Sequence, residues 1–183
     1  GLDATMSRNK TYFHEKWSGI DAESSMGEKV ATLNAVQNAQ ALQNKGLADD
    51  AVKALIARIG FSPDEKYLYY YLADILIVEK RFQDGIDAVK EMPDAQGDSR
   101  YFEVLGYCSE GLGLYSEAED YADKALSLNE KSAPALNLKG ILEYNKGDRE
   151  TAVKHFKKAQ DADPGYGDPY TNLGMLSLAS EQR

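Results

Sequence analysis

The sequence FEVLG at residues 102–106 is followed, 34 residues later, by LNLKG at residues 136–140 and, after another 34, by YTNLG at residues 170–174. The glycines that close these three stretches therefore recur at one constant interval. Small residues continue the series towards the N-terminus at the same spacing or one residue less, at Ala39 and Ala73. Self-similarity at a period of this size predicts a stack of structural repeats, each packed on the next.

Two further series run parallel to the first. Small residues recur 12 positions after each member, and residues suited to a left-handed helix end recur seven positions after it. We interpret the small residues as sites where the two helices of one unit come close together. The structural repeat positions are Ala39, Ala73, Gly106, Gly140 and Gly174, with Ala118 and Ala152 in the second series, and the helix-end positions are Gly46, Lys80, Gly113 and Gly147.

These series resemble the tetratricopeptide repeat (TPR), a helical pair of 34 residues. The fourth unit carries the motif at Leu136, Gly140, Ala152, Phe156, Ala159 and Pro164. The resemblance covers residues 31–183 and implies an all-α fold, a right-handed superhelical solenoid of antiparallel helix pairs with about four units and a final helix. The sequence departs from the motif at Asn38, Arg58 and Lys139.

Apolar periodicity and turn residues predict where the helices lie. We expect Ser116 and Glu119 to form a capping box, and Ser132 to cap the helix that follows it. No alternation typical of strands occurs. The predicted helices span residues 27–44, 47–59, 64–79, 82–91, 98–112, 116–128, 132–146, 148–162 and 167–180.

Residues 1–26 fall outside the period, and we expect a tail or linker there, ahead of an array at residues 27–183. One interpretation is a short helix whose Tyr12, Phe13 and Trp17 cap the apolar end of the array. In another, this aromatic segment is similar to the tail that follows the catalytic domain of some bacterial family 2 glycosyltransferases, several of which carry TPR arrays. Because the chain starts without Met and stops inside a predicted helix, we expect a fragment of a longer protein.

Composition and reactive residues give no sign of catalysis. The formal net charge of −9 disfavours nucleic acid as a partner. Cys108 is expected to be a buried, inert thiol, in keeping with a reducing, cytoplasmic compartment. His14 and His155 are too far apart in sequence to form a metal site with it, and we expect no metal and no cofactor. No segment reaches the roughly 20 apolar residues of a membrane span.

The resemblance implies a non-catalytic scaffold that binds a protein or peptide in a concave groove lined by the first helix of each unit. Tyrosines, amides and a few acids occupy the groove positions, and such side chains suit the recognition of an extended segment. Some of the tyrosines are expected to pack between units instead. The candidate groove residues are Gln40, Gln43, Tyr67, Tyr70, Asp74, Arg100, Glu103, Tyr107, Glu110, Asn137 and Tyr144.

TPR domains that hold the carboxylate at the end of a chaperone tail carry lysine, asparagine and arginine at set groove positions. In this sequence only Arg100 has the right charge, while Asp74 and Glu103 would repel a carboxylate. An acidic C-terminal chaperone tail is therefore not the expected ligand.

Two alternatives stay open beside the scaffold function. One is an accessory segment of a larger bacterial glycosyltransferase whose catalytic domain is absent from this chain. The other is self-association through the final helix, which carries Leu173, Leu176 and Leu178 with no helix after it.

Overall fold

The computed structural model describes residues 26–181, which form nine α-helices and one short 3-10 turn. Each helix begins and ends within two residues of its predicted bounds. The expected all-α array is confirmed. The tail and its aromatic segment lie outside the described residues, so the domain boundary stays a prediction. The helices are α1 (Met26–Asn44), α2 (Ala48–Phe61), α3 (Lys66–Val78), α4 (Phe82–Lys90), α5 (Ser99–Gly111), α6 (Tyr115–Leu128), α7 (Ala133–Asn145), α8 (Arg149–Ala162) and α9 (Asp168–Glu181), with the turn at Ala95–Gly97.

The helices pack as four consecutive pairs, α1 with α2, α3 with α4, α5 with α6 and α7 with α8, and α9 packs on α8. First helices of neighbouring units also contact each other, since α3 contacts α1 and α5, and α5 contacts α7. These contacts place the first helices on the inner side of the stack. None of the helices in residues 26–181 combines the length and the apolar character needed to cross a membrane.

The glycines of the first series make room for large side chains. A Cβ atom on Gly140 would lie 2.5 Å from Cε1 of Phe156 in α8, and one on Gly106 would lie 2.6 Å from Cδ2 of Leu138 in the next unit. The sequence predicted close contact between helix backbones, whereas the structure shows a ring or a leucine seated on the bare backbone. At Gly174 a Cβ would meet no described atom within 4 Å.

All four predicted helix-end positions adopt the left-handed conformation, with φ of 75° at Gly46, 59° at Lys80, 77° at Gly113 and 89° at Gly147. At each, the next residue donates a backbone hydrogen bond five residues back, as Arg81 N does to Leu76 O at 2.8 Å. This is the Schellman arrangement. Lys80 therefore carries a conformational penalty that the glycines avoid.

One of the two predicted helix caps is wrong. Helix α6 begins one residue before Ser116, with Leu114 at its N-cap and no side-chain cap bond, so Ser116 and Glu119 cannot form the capping box. The Ser132 cap is confirmed, since its hydroxyl accepts a hydrogen bond from Ala135 N at 3.1 Å.

Lys139, which departs from the repeat motif, ties the fourth unit to the third. Its Nζ atom lies 2.8 Å from Oδ1 of Asp123 and 3.5 Å from Oε1 of Glu119, both in α6. Lys146 reaches the same Glu119 at 2.9 Å and Glu143 at 3.2 Å. An ionic contact between units thus replaces the apolar contact that leucine makes elsewhere in the motif.

The leucines of α9 are covered unequally. Leu176 is buried and packs with Phe156 of α8, and Leu173 packs against the same cluster. Met175 and Leu178 remain exposed. The final helix therefore leaves Leu178 uncovered and Leu173 half-buried, whereas Leu176 is fully covered by α8.

Substituting Gly140 by alanine should destabilise the fourth unit. Because Phe156 is only 2% exposed and has little space to retreat, we expect a loss of about 1–3 kcal/mol in the free energy of unfolding. Urea denaturation measures the loss. Gly174→Ala is the matched control, for which we expect no loss and a gain of up to about 1 kcal/mol from helix propensity. Equal denaturation midpoints for Gly140→Ala and the parent chain would contradict this packing.

Substituting Lys80 by glycine should stabilise the second unit. Removing the Cβ atom relieves a left-handed conformation that costs an ordinary residue roughly 1 kcal/mol. Lys80→Ala keeps the Cβ and should leave the midpoint near that of the parent chain. A lower thermal midpoint for Lys80→Gly than for Lys80→Ala would oppose this explanation.

Candidate functional site

The candidate groove residues all lie on first helices, but at different depths. Tyr144 is 47% exposed, whereas Tyr70, Glu103 and Asn137 are 8%, 3% and 1% exposed. The prediction that these residues line the groove is therefore wrong for the side chains of Tyr70, Glu103 and Asn137, which are buried between helices, and Tyr70 packs in the core. The half-buried candidates are Gln40, Gln43, Tyr67, Asp74, Arg100, Tyr107 and Glu110.

Arg100 holds together the acidic residues of the second and third units. Its guanidinium contacts Oδ1 of Asp74 in α3 and lies 3.4 Å from Oε2 of Glu103 in α5. The other oxygen of Glu103 accepts a hydrogen bond from Ser132 Oγ at 2.7 Å, the same hydroxyl that caps α7. Because the cation offsets both carboxylates, this end of the groove repels an acidic ligand less than the sequence suggested.

A chain of hydrogen bonds links the first helices of the third and fourth units to α9. Asn137 Nδ2 donates to the Tyr107 hydroxyl at 2.9 Å, and Asn172 Nδ2 donates to Asn137 Oδ1 at 2.9 Å. The Tyr107 hydroxyl in turn donates to Pro134 O at 2.9 Å and lies 3.0 Å from the Tyr166 hydroxyl. Burial raises the pKa of Tyr107 to about 12, with the hydrogen bonds from Tyr166 and Asn137 acting in the opposite direction.

Two more amide side chains form hydrogen bonds near the C-terminal ends of the first helices. Asn145 Nδ2 lies 3.4 Å from Glu110 Oε1, and the Tyr71 hydroxyl donates to Gln43 Oε1 at 3.0 Å. Burial raises the pKa of the Glu110 carboxyl, and the hydrogen bond from Asn145 partly offsets that effect. Each of these contacts joins neighbouring units, so the groove side chains are held by the stack itself.

The groove changes character along the array. One position of the first helix, repeated through the five units, is polar at the N-terminal end and apolar at the C-terminal end. A second position is mixed in the first three units, with Gln43, Ile77 and Glu110, and apolar in the last two, where Tyr144 and Leu178 are exposed. The C-terminal half of the groove is therefore the more apolar. The first series is Gln40, Asp74, Tyr107, Ile141 and Met175.

Two residues of this hydrogen-bond network, Asn172 and Tyr166, were not predicted from the sequence. Asn172 stands in the fifth unit, one position later in the repeat than Asn137, so the period alone does not connect them. Tyr166 belongs to the turn between α8 and α9, where the repeat pattern makes no prediction. An amide on the inner face of a first helix was the one signal available for Asn172.

The thiol of Cys108 lies in the core of the third unit and not in the groove. Cys108 is buried, as predicted, and burial raises the pKa of its thiol to about 12. Within residues 26–181 no group of three or more histidines, cysteines and acidic residues is placed to hold a metal ion.

Removing the Asn137 amide should lower the free energy of unfolding and loosen the side chains that are hydrogen-bonded to it. Asn137→Ala leaves Asn172 and the buried hydroxyl of Tyr107 each short of one partner, and an unsatisfied buried polar group costs about 1–3 kcal/mol. Chemical denaturation measures the loss. Asn145→Ala, at the exposed last residue of the same helix, should change stability by no more than about 0.5 kcal/mol. Equal losses for the two variants would contradict a structural role for this chain of bonds.

Comparison with known proteins supports the fold that these contacts build. The sequence profile of the tetratricopeptide repeat matches residues 36–100 and 104–167. The chain is 38% identical over 73 residues to the Protein SGT1 homolog of Bos taurus, covering 40% of this chain and 21% of that protein. For the Homo sapiens homolog the identity is 34% over 91 residues, covering 50% and 24%. The chain thus spans about a quarter or less of these relatives.

Several solved structures share the fold at low sequence identity. TTC0263, a TPR protein of Thermus thermophilus, has a TM-score of 0.63 at 18% identity and covers 82% of this chain and 87% of its own. MamA from Desulfovibrio magneticus RS-1, residues 41 to its end, has a TM-score of 0.57 at 20% identity, covering 90% and 97%. YrrB, described as a TPR protein with an unusual peptide-binding site, has a TM-score of 0.51 at 21% identity, covering 81% and 77%.

The two profile matches cover more than half of the 183 residues, and they agree with the helix pairs, the bare glycines and the left-handed helix ends. The chain belongs to the tetratricopeptide repeat family.

Proposed function

We propose that this chain is a non-catalytic scaffold that binds a protein or peptide segment in the groove lined by its first helices. Arrays of this family are typically interaction scaffolds, and the similar protein YrrB is described as having a peptide-binding site. The ligand lies across the C-terminal half, between α5 and α9, where the groove is most apolar.

The observation that carries this proposal is an exposed surface formed by Tyr144 and Met175 above a layer of hydrogen-bonded polar side chains, which we call the polar floor. Tyr144 is about half exposed, and Met175 is 58% exposed at the position that Tyr107 and Ile141 occupy in earlier units. Beneath them the Tyr107 hydroxyl and the Asn137 amide are fixed by hydrogen bonds. Side chains that are already ordered lose little conformational entropy when a ligand binds, which favours affinity.

Charge narrows the class of ligand. Arg100 is engaged by Asp74 and Glu103, so it does not offer an unshared cation to a terminal carboxylate. Glu110 lies in the apolar half, where its carboxyl accepts a hydrogen bond from Asn145. A segment with apolar side chains and a neutral or basic character fits this surface better than an acidic one, in agreement with the expectation that an acidic chaperone tail does not bind.

The test starts from a phage-displayed library of random peptides, selected on the 183-residue chain and measured by calorimetry. Loss of a well-packed aromatic side chain from such a surface costs about 2 kcal/mol, so Tyr144→Ala should weaken the selected peptides roughly 30-fold.

Tyr115→Ala is the matched control, because Tyr115 is exposed to the same extent but begins a second helix. It should leave affinity unchanged, and neither exposed substitution should alter the thermal midpoint. Peptides that lose affinity with Tyr115→Ala and keep it with Tyr144→Ala would place the binding surface outside the groove.

A further inference from the structure

Glu110 places a half-buried carboxylate in the groove, near the C-terminal end of α5. Asn145 Nδ2 of α7 lies 3.4 Å from its Oε1 atom, so the C-terminal ends of these two first helices are close together. Burial raises the pKa of the Glu110 carboxyl because it disfavours the charged form. The ionised carboxylate is therefore poorly hydrated and would gain from a nearby positive charge.

The cations of the surrounding helices do not supply that charge. Arg100, at the N-terminal end of α5, is already engaged by two other carboxylates. Lys146 directly follows α7, yet its Nζ atom lies 2.9 Å from Glu119 and 3.2 Å from Glu143. Within residues 26–181 no cation forms an ion pair with Glu110.

Apolar side chains stand on either side of this carboxylate along the inner face. Ile77 and Tyr144 occupy the repeat position of Glu110 in the units before and after it, and the first helices of both units contact α5. Tyr107 precedes Glu110 by one turn in the same helix. The Tyr144 side chain is about half exposed, so the carboxylate has an accessible aromatic neighbour.

A carboxylate beside an exposed ring suits the side chain of arginine. The planar guanidinium donates hydrogen bonds to a carboxylate and stacks on an aromatic ring. It is also more weakly hydrated than the ammonium of lysine, so it enters a half-buried site at a lower cost. The apolar stem of arginine is compatible with the apolar side chains on either side of Glu110.

We propose that Glu110 and Tyr144 form a subsite for an arginine side chain of the segment that binds in the groove. The guanidinium donates to the Glu110 oxygens and lies against the Tyr144 ring. This inference rests on the proposed function and adds to it the residue by which the groove distinguishes one segment from another.

An amino acid derivative tests the subsite without a peptide. N-acetyl-arginine methylamide is titrated into the 183-residue chain, and the ring signals of Tyr144 are followed by NMR spectroscopy. We expect a saturable shift. N-acetyl-citrulline methylamide, which has the same shape without the charge, should bind roughly tenfold more weakly, because it cannot form a charge-assisted hydrogen bond as strong.

Two variants locate the effect. Glu110→Gln keeps the size of the side chain and an oxygen that can accept from Asn145, so the fold should be retained. It should weaken binding of the arginine compound roughly tenfold and leave the citrulline compound unaffected. Glu117→Gln is the matched control, because it removes the same charge from an exposed position on α6, and it should leave both affinities unchanged.

The absence of a saturable shift, equal affinity for the two compounds, or equal losses with Glu110→Gln and Glu117→Gln would overturn the inference. Library peptides that depend on Tyr144 but share no arginine would also overturn it, and would leave the proposed function in place. If instead the arginine compound depends on Glu110 and no library peptide depends on Tyr144, the proposed function fails while Glu110 remains an arginine site.

Discussion

The spacing of helices in this array depends on a bare backbone in one helix receiving a large side chain from another. Gly140 receives the ring of Phe156, and Gly106 receives Leu138 of the next unit. Neither site tolerates even a methyl group without movement of its neighbour. Because one contact lies within a unit and the other between units, the glycine series sets both the distance between paired helices and the distance between units. The positions of the groove side chains follow from these two distances.

The hydrogen bonds of the polar floor depend on this fixed distance between helices. Asn137 can bond both Tyr107 and Asn172 only because the first helices of three successive units are held at regular separations. Arg100 joins Asp74 and Glu103 in the same manner across the second and third units. Buried polar groups of this kind contribute little net stability when satisfied and cost much when they are not. Their main effect is to hold the side chains of the groove in one arrangement.

The repeat period predicted the features that recur from unit to unit, namely the helix bounds and the left-handed residues at Gly46, Lys80, Gly113 and Gly147. It could not predict the depth of individual groove residues. Tyr70, Glu103 and Asn137 share one position of the repeat and are all buried, whereas Tyr144 stands seven positions later in its helix and is half exposed. The depth of a position depends on how closely the neighbouring helices cover it, and the spacing of residues in the sequence does not contain that distance. The capping box at Ser116 failed for a local reason, since the Schellman turn before it starts α6 one residue early.

The amide of Asn137 has a consequence for how this chain could have grown. An amide donates through Nδ2 and accepts through Oδ1, and here it does both, towards an earlier unit on one side and a later helix on the other. If the gene segment for the fourth unit were duplicated, the first copy would meet a leucine where Asn172 now stands, because Leu138 is the counterpart of Asn172 in the repeat. The second copy would meet an isoleucine where the Tyr107 hydroxyl now stands, because Ile141 is the counterpart of Tyr107. Each amide would keep one partner and lose the other, so these hydrogen bonds oppose a change in the number of repeats at this point of the chain.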